Sequence, residues 1–336
     1  MMDITAQLPL IWAAIIGVAV ALYVILDGFD LGIGMLFPFA KDDAERDRML
    51  AAIAPFWDGN ETWLVLGGGG LLVAFPRAYS IIMPAFYLPI IVMLLALVFR
   101  GVTFEFRSIA HRKPIWNAVF AVGSTLAGFC QGLILGGLVQ GVKIEGGGFA
   151  GGPFDWATPF GAMCGVGVVA GYALLGATWL MLKTDGDMAE RAAAKAKVLL
   201  VAVLVFMAAV SIFTPLTTPR IAERWFTLPN LFYLSPVPAL TALIAIAAWR
   251  WIGQRREAAP FLATIALFLF GYLGLAISTF PYIVPPDLTI RAAAAAPSSQ
   301  AIMLIGTVVM LPIILGYTAL AYWLFRGKVA EGAAYH

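Results

Sequence analysis

The sequence predicts an all-α integral membrane protein, and three observations carry that prediction. Of the 336 residues, 62% are hydrophobic and only 12% are charged, with a mean hydropathy of +0.91. Soluble domains carry about 25% charged residues. The apolar residues gather into runs long enough to cross a bilayer, and lysine and arginine collect in alternate links between the runs. The net charge of +2 therefore reports topology and gives no sign of a nucleic-acid partner.

Nine spans are expected within one polytopic domain covering 1–336, at roughly 8–39, 58–75, 81–100, 116–139, 159–182, 198–213, 231–249, 261–280 and 301–325. The first run, 8–26, holds 19 residues, about 28 Å of helix and enough for the hydrocarbon core. No basic segment or small-residue cleavage site accompanies it, so it reads as a retained span. Gly28, Gly32 and Gly34 suit close approach of a neighbouring helix. A polar segment, 41–48, follows. The second span carries Gly67, Gly68, Gly69 and Gly70 in a row, a poor helix former that suggests tight packing or a local break. The third is expected to end at Arg100, with Glu105 and Arg107 beyond it. A glycine-rich loop follows the fourth, and a charged stretch, 183–197, follows the fifth. The loop at 281–300 precedes the ninth span, where Pro312 is expected to allow a kink.

The links after spans 1, 3, 5, 7 and 9 carry 3, 4, 4, 3 and 2 of the 21 lysines and arginines. The N-terminal tail and the links after spans 2, 4, 6 and 8 carry 0, 1, 1, 2 and 1. The positive-inside rule then puts the N-terminus outside and the C-terminus in the cytoplasm.

Against this apolar background stand two acidic motifs. Asp27 and Asp30 lie near the cytoplasmic end of the first span, and Asp58 and Glu61 open the second. Each pair is spaced i, i+3, which places both acids on nearly one helix face. Short links make the first three spans neighbours, so Arg100 and Glu105 reach the same level. Two readings stay open. In the structural one, Asp58 caps its helix with Glu61 completing a capping-box-like pair, and Arg100 pairs with an acid. In the functional one, the acids take up cytoplasmic protons, since ionisable groups inside membranes commonly mark relays. An ion-coupled secondary transporter acting alone would use the same residue types, although discontinuous helices in matching halves would be expected of it.

Other polar residues in the spans, Ser124, Thr125, Gln131, Thr178, Ser211, Thr264, Ser278 and Thr307, are expected to bond to the preceding turn or a neighbouring helix. Trp12, Trp116, Trp156, Trp225, Trp249 and Trp323 read as an interfacial aromatic belt. Cys130 and Cys164 read as small core hydrophobes, and no metal-spacing motif occurs. His111 lies in a basic link and His336 is the last residue, so no predicted span holds a histidine.

Three stretches can be matched to a family. ILDGFDLGIGMLFPF (25–39), PFWDGNETWLVLGGGGLLVAFP (55–76) and QGLILGGLVQGVKIEGGGFAGGPFDWATPF (131–160) resemble signatures of subunit II of cytochrome bd-type quinol oxidases, including the cyanide-insensitive branch. The resemblance covers essentially the whole chain. It implies two four-helix bundles plus one peripheral helix, and a heterodimer with a haem-bearing subunit I in the bacterial inner membrane. It implies oxidation of ubiquinol, reduction of dioxygen to water, and protons drawn from the cytoplasm. Two b-type haems and one d-type haem would belong to subunit I, with none ligated by this chain. In some members this subunit holds a structural quinone, and a small single-span accessory subunit attaches. The pattern associates Asp58 with the proton path, with Asp27, Asp30, Glu61, Arg100 and Glu105 joining it by proximity. The missing intramembrane histidine fits that division, because haem iron takes His, Met, Cys or Tyr as axial ligands. A purely structural role in assembly is the remaining alternative.

Overall fold

The fold is organised around its first helix. In a computed structural model, which describes residues 4–330 and residue 332, α1 runs over Ile4–Leu36. His336 and the first three residues lie outside the described residues. At about 1.5 Å per residue, the 33 residues of α1 exceed the thickness of a bilayer core. A 3-10 turn, Phe37–Phe39, ends it.

The polar segment at 41–48 is helical from Asp43 onward. α2 (Asp43–Ala51) starts from a reciprocal cap: Asp42 accepts from the Glu45 amide, and the Glu45 carboxylate accepts from the Lys41 amide. Its charged faces suit the interface rather than the hydrocarbon. α3 (Trp57–Ala74) stays helical through all four glycines. Cβ atoms added at Gly67 and Gly70 would touch Val20 and Ile16 of α1, whereas those at Gly68 and Gly69 would meet nothing. Close packing on one side thus accounts for half of the glycine run.

The third expected span differs most from expectation. α4 (Pro76–Ala85) ends at Phe86, whose backbone leaves helical geometry, and α5 (Tyr87–Ile109) begins there. Pro84 and Pro89 flank the break and remove two backbone donors. Arg100 does not end this helix but lies inside α5, fully buried, because acids from two other helices neutralise it there. α6 (Lys113–Gln140) follows. The glycine-rich loop is a hairpin, β1 (Ile144–Glu145) with β2 (Gly148–Phe149), turned by Gly146 and Gly147 at positive φ, as tight antiparallel hairpins require.

α7 (Pro159–Lys183) is capped by the Thr158 hydroxyl, which accepts from the Gly161 amide. α8 (Gly186–Thr217) includes most of the charged stretch that the sequence suggested was a link. α9 (Pro219–Phe226) and α10 (Asn230–Leu234) lead to α11 (Pro236–Gly253) and α12 (Ala259–Thr279). The loop at 281–300 contains a second hairpin, β3 (Tyr282–Val284) with β4 (Leu288–Thr289), and the short α13 (Ile290–Ala293). α14 (Pro297–Leu324) remains helical through Pro312.

Eight of the described helical segments are long and apolar enough to cross a membrane. The second expected span is the 18-residue α3, which is not among them, since Asp58, Asn60 and Glu61 and the glycines dilute its apolar content. α1 packs against α3, α6, α7, α12 and α14. α5 and α6 pair, as do α6 and α7, α7 and α8, and α11 and α12. At one end, ion pairs Arg48–Asp185, Arg191–Glu45, Arg255–Glu190 and Lys328–Glu257 tie the basic links together. Lys183 Nζ donates there to the Phe325 and Gly327 carbonyls. The tryptophans divide: Trp249 and Trp323 are exposed as a belt requires, but Trp12 is buried and donates to the Gln300 carbonyl. Cys130 and Cys164 are free, buried thiols, and His111 lies between α5 and α6.

Candidate functional site

The two acidic motifs do meet, around Arg100. The crossing of α1 with α7 sets the depth of the first pair. A Cβ on Gly32 would lie 1.8 Å from the Tyr172 carbonyl oxygen, and one on Gly176 would lie 2.5 Å from the Gly32 carbonyl carbon. Only glycine permits this approach, and it holds the face carrying Asp27 and Asp30 in the interior.

Arg100 Nη1 donates to Asp27 Oδ1 at 2.7 Å and to Glu61 Oε1 at 2.9 Å. Asp30 Oδ2 stands 3.9 Å from Arg100 Nη2 and accepts from Asn60 Nδ2 at 2.7 Å. Asn60 also donates to the Leu26 carbonyl and accepts from the Tyr322 hydroxyl at 3.0 Å. Asp27, Asp30 and Arg100 are wholly buried, while the Glu61 side chain is 28% exposed. Four helices, α1, α3, α5 and α14, therefore supply one connected polar set. Three carboxyl groups face one guanidinium, and excess charge is strongly penalised in a buried site. Such a set can bind and exchange a proton among its carboxyls. Asp27 Oδ2, Asp30 Oδ1 and Arg100 Nε and Nη2 have no hydrogen-bond partner among the described residues, which leaves further hydrogen-bonding capacity within the set.

The other two predicted residues lie apart. Asp58 is exposed on α3 and does not cap it: the N-cap is Phe56, with no side-chain cap. Glu61 turns to Arg100 instead of closing a capping box. Glu105 is exposed on α5, beyond the cluster. Asn60 and Tyr322 were not singled out by sequence reasoning. Asn60 sits inside the WDGNETW motif, where its place between two acids was a usable signal. Tyr322 offered none, because it comes from the far end of the chain. Thr125, Thr178, Thr264, Ser278 and Thr307 bond to the preceding turn, as expected. Gln131 bonds to neighbouring helices, the other expected arrangement, joining Tyr23 of α1 and Tyr172 of α7. Among the described residues, no group of three His, Cys, Asp or Glu side chains is placed to hold a metal ion.

Comparison with known proteins gives this site its context. Residues 8–325 match the family described as cytochrome bd terminal oxidase subunit II. The chain belongs to that family. Cytochrome bd-I ubiquinol oxidase subunit 2 of Escherichia coli K12 is 30% identical, with 96% of each chain covered. Cytochrome bd ubiquinol oxidase subunit 2 of Bacillus subtilis is also 30% identical, over 97% of this chain and 98% of that one. The structure of bd oxidase from Geobacillus thermodenitrificans superposes with a TM-score of 0.78 over 95% of this chain and 98% of that one, at 17% identity, and shows a shared fold. Membership makes the chain a subunit of a respiratory quinol oxidase with a partner subunit I. With its eight long apolar helices, it is a multi-pass protein of the bacterial inner membrane.

Proposed function

We propose that this subunit supports the haem-bearing subunit I and delivers cytoplasmic protons to it for the reduction of dioxygen to water. The observation that carries the reading is the buried set around Arg100, with three carboxyls on one guanidinium. Glu61 is its partly exposed member, and Asp58, one turn earlier on the same helix, is exposed. Protons pass from Asp58 to Glu61 and then to Asp30, with Arg100 as the permanently charged partner of the carboxyls and Asp27 beside it. Glu105 stands at the rim.

In this reading the basic links lie in the cytoplasm and the N-terminus outside, and α3, the second span, brings the total to nine in a single membrane domain. The helix neighbours support two four-helix bundles, α1, α3, α5 and α6 beside α7, α8, α11 and α12, with α14 peripheral. The two b-type haems and haem d belong to subunit I, which also oxidises ubiquinol. A structural quinone in this subunit and a small single-span accessory subunit complete the expected assembly.

Asp30→Asn and Asp58→Asn complexes, purified with their haem spectra intact, should show quinol oxidase turnover roughly a hundredfold or more below the parent, the lower end of the 10²–10⁴-fold range typical of a lost proton-transfer group. Full turnover in both would remove the acids from the path. A second reading, a helix lock needed only for assembly, is favoured by the joining of three helices through Arg100. It predicts loss of haem in every acid variant.

A further inference from the structure

A second polar chain runs from the Arg100 cluster toward the middle of the bundle. The Tyr172 hydroxyl of α7 donates to Gln131 Oε1 of α6 at 2.5 Å. Gln131 Nε2 donates to the Tyr23 hydroxyl oxygen of α1 at 2.9 Å. Tyr23 lies one helical turn before Asp27, on the same face of α1. The order of donors matters. Because Tyr23 accepts from Gln131, its own hydroxyl proton remains free to be donated. On that face stands Asp27, whose Oδ2 is buried and has no hydrogen-bond partner among the described residues. All donors in the chain then point one way, from Tyr172 through Gln131 and Tyr23 toward Asp27. Tyr23 and Tyr172 are 4% and 1% exposed, and buried polar groups are retained where they are satisfied.

We propose that Gln131 and Tyr172 are positioning residues that aim the Tyr23 hydroxyl at Asp27, holding Asp27 as the fixed anionic partner of Arg100 and leaving Asp30 as the carboxyl that takes up and releases the proton. Asp27 receives Arg100 Nη1 at 2.7 Å on one oxygen, and the Tyr23 hydroxyl reaches the other through one water. Asp30 is 3.9 Å from the guanidinium and has only the neutral Asn60 as a close donor. The charged and titratable groups facing the pair are Tyr23 on α1, Glu61 on α3, Arg100 on α5, Tyr172 on α7 and Tyr322 on α14. The opposite orientation of the Gln131 amide would reverse the chain and direct Tyr23 away from Asp27.

The inference rests on the proton-delivery reading, and its test separates the two. Infrared difference spectra of the purified complex, with aspartate carboxyls isotopically labelled, resolve protonated from ionised Asp. Tyr23→Phe and Gln131→Met should each add a second protonated-Asp C=O band at neutral pH and shift the pH profile of turnover, with haem content unchanged. The double variant should do no more than either single one. Unchanged spectra and pH profiles in haem-replete Tyr23→Phe and Gln131→Met would overturn the inference. If Asp30→Asn keeps full turnover while the Tyr23→Phe band appears, proton delivery fails and the positioning of Asp27 stands.

Discussion

Replacing Arg100 by methionine isolates the electrostatics of the cluster. Methionine keeps an unbranched side chain able to fill irregular space, so the main loss is the cation. That loss strips Asp27 Oδ1 and Glu61 Oε1 of their shared donor at 2.7 and 2.9 Å, and leaves Asp30 with Asn60 alone. Removing one partner of a buried ion pair costs about 3–5 kcal/mol. At about 1.4 kcal/mol per tenfold, this is roughly two to nearly four powers of ten in the folded population. Glu61 is 28% exposed and can turn toward water, so the lower half of the range is expected. The assay is equilibrium unfolding of the purified complex in mixed micelles. Adding Asp27→Asn to Arg100→Met should recover part of the loss, since it removes the buried charge left behind, and the two changes should be strongly non-additive. A change within about 0.5 kcal/mol for Arg100→Met, the size of ordinary surface substitutions, would refute the reasoning.

Three further outcomes follow from the packing and from the ion pairs among the basic links. Gly32→Ala should lower the yield of assembled complex, because its Cβ would lie 1.8 Å from the Tyr172 carbonyl oxygen and overpacking of this kind costs about 1–3 kcal/mol or more; Gly68→Ala, with open space beside it, should assemble normally on the same gel. Tyr322→Phe removes the donor to Asn60 Oδ1 and should destabilise by about 1 kcal/mol in the same unfolding assay. Asp43 is held below the usual carboxylate range, first by its hydrogen bond from Arg46 and then by Asn117 and the charges of Arg46 and Arg107. Its contribution is present above the unfolded value, about 3.9, and is lost as pH falls through the lower folded value; hydrogen exchange of α2 should rise below about pH 4, and Asp43→Asn should exchange faster at neutral pH with a weaker acid dependence.

Long apolar runs made the membrane class and most helix positions legible, because hydropathy and length decide whether a segment can cross a bilayer. The convergence of Asp27, Asp30, Glu61 and Arg100 was legible too, from i, i+3 spacing, short links and alternating basic charge. What failed was local. Arg100 looked like the end of a span because an arginine in hydrocarbon is costly, yet its acid partners pay that cost inside the fold. Asp58 fitted a capping pattern, but α3 begins one residue before it and the helix start fell to Phe56. The interior chain through Tyr23, Gln131 and Tyr172 joins residues up to 149 positions apart, and tyrosines in apolar runs carry no local mark of a partner. The helical character of 41–48 was hidden because a short charged helix resembles a loop in composition.

The central claim is that protons for oxygen reduction pass through the cluster around Arg100. The most direct measurement is transient proton uptake, followed with a pH-sensitive dye, when the reduced complex meets oxygen. Asp30→Asn complexes with a full haem complement should take up protons at least roughly a hundredfold more slowly than the parent, the lower end of the range for a lost proton-transfer group, with oxygen binding unchanged. Uptake at the parental rate in haem-replete Asp30→Asn would contradict the account.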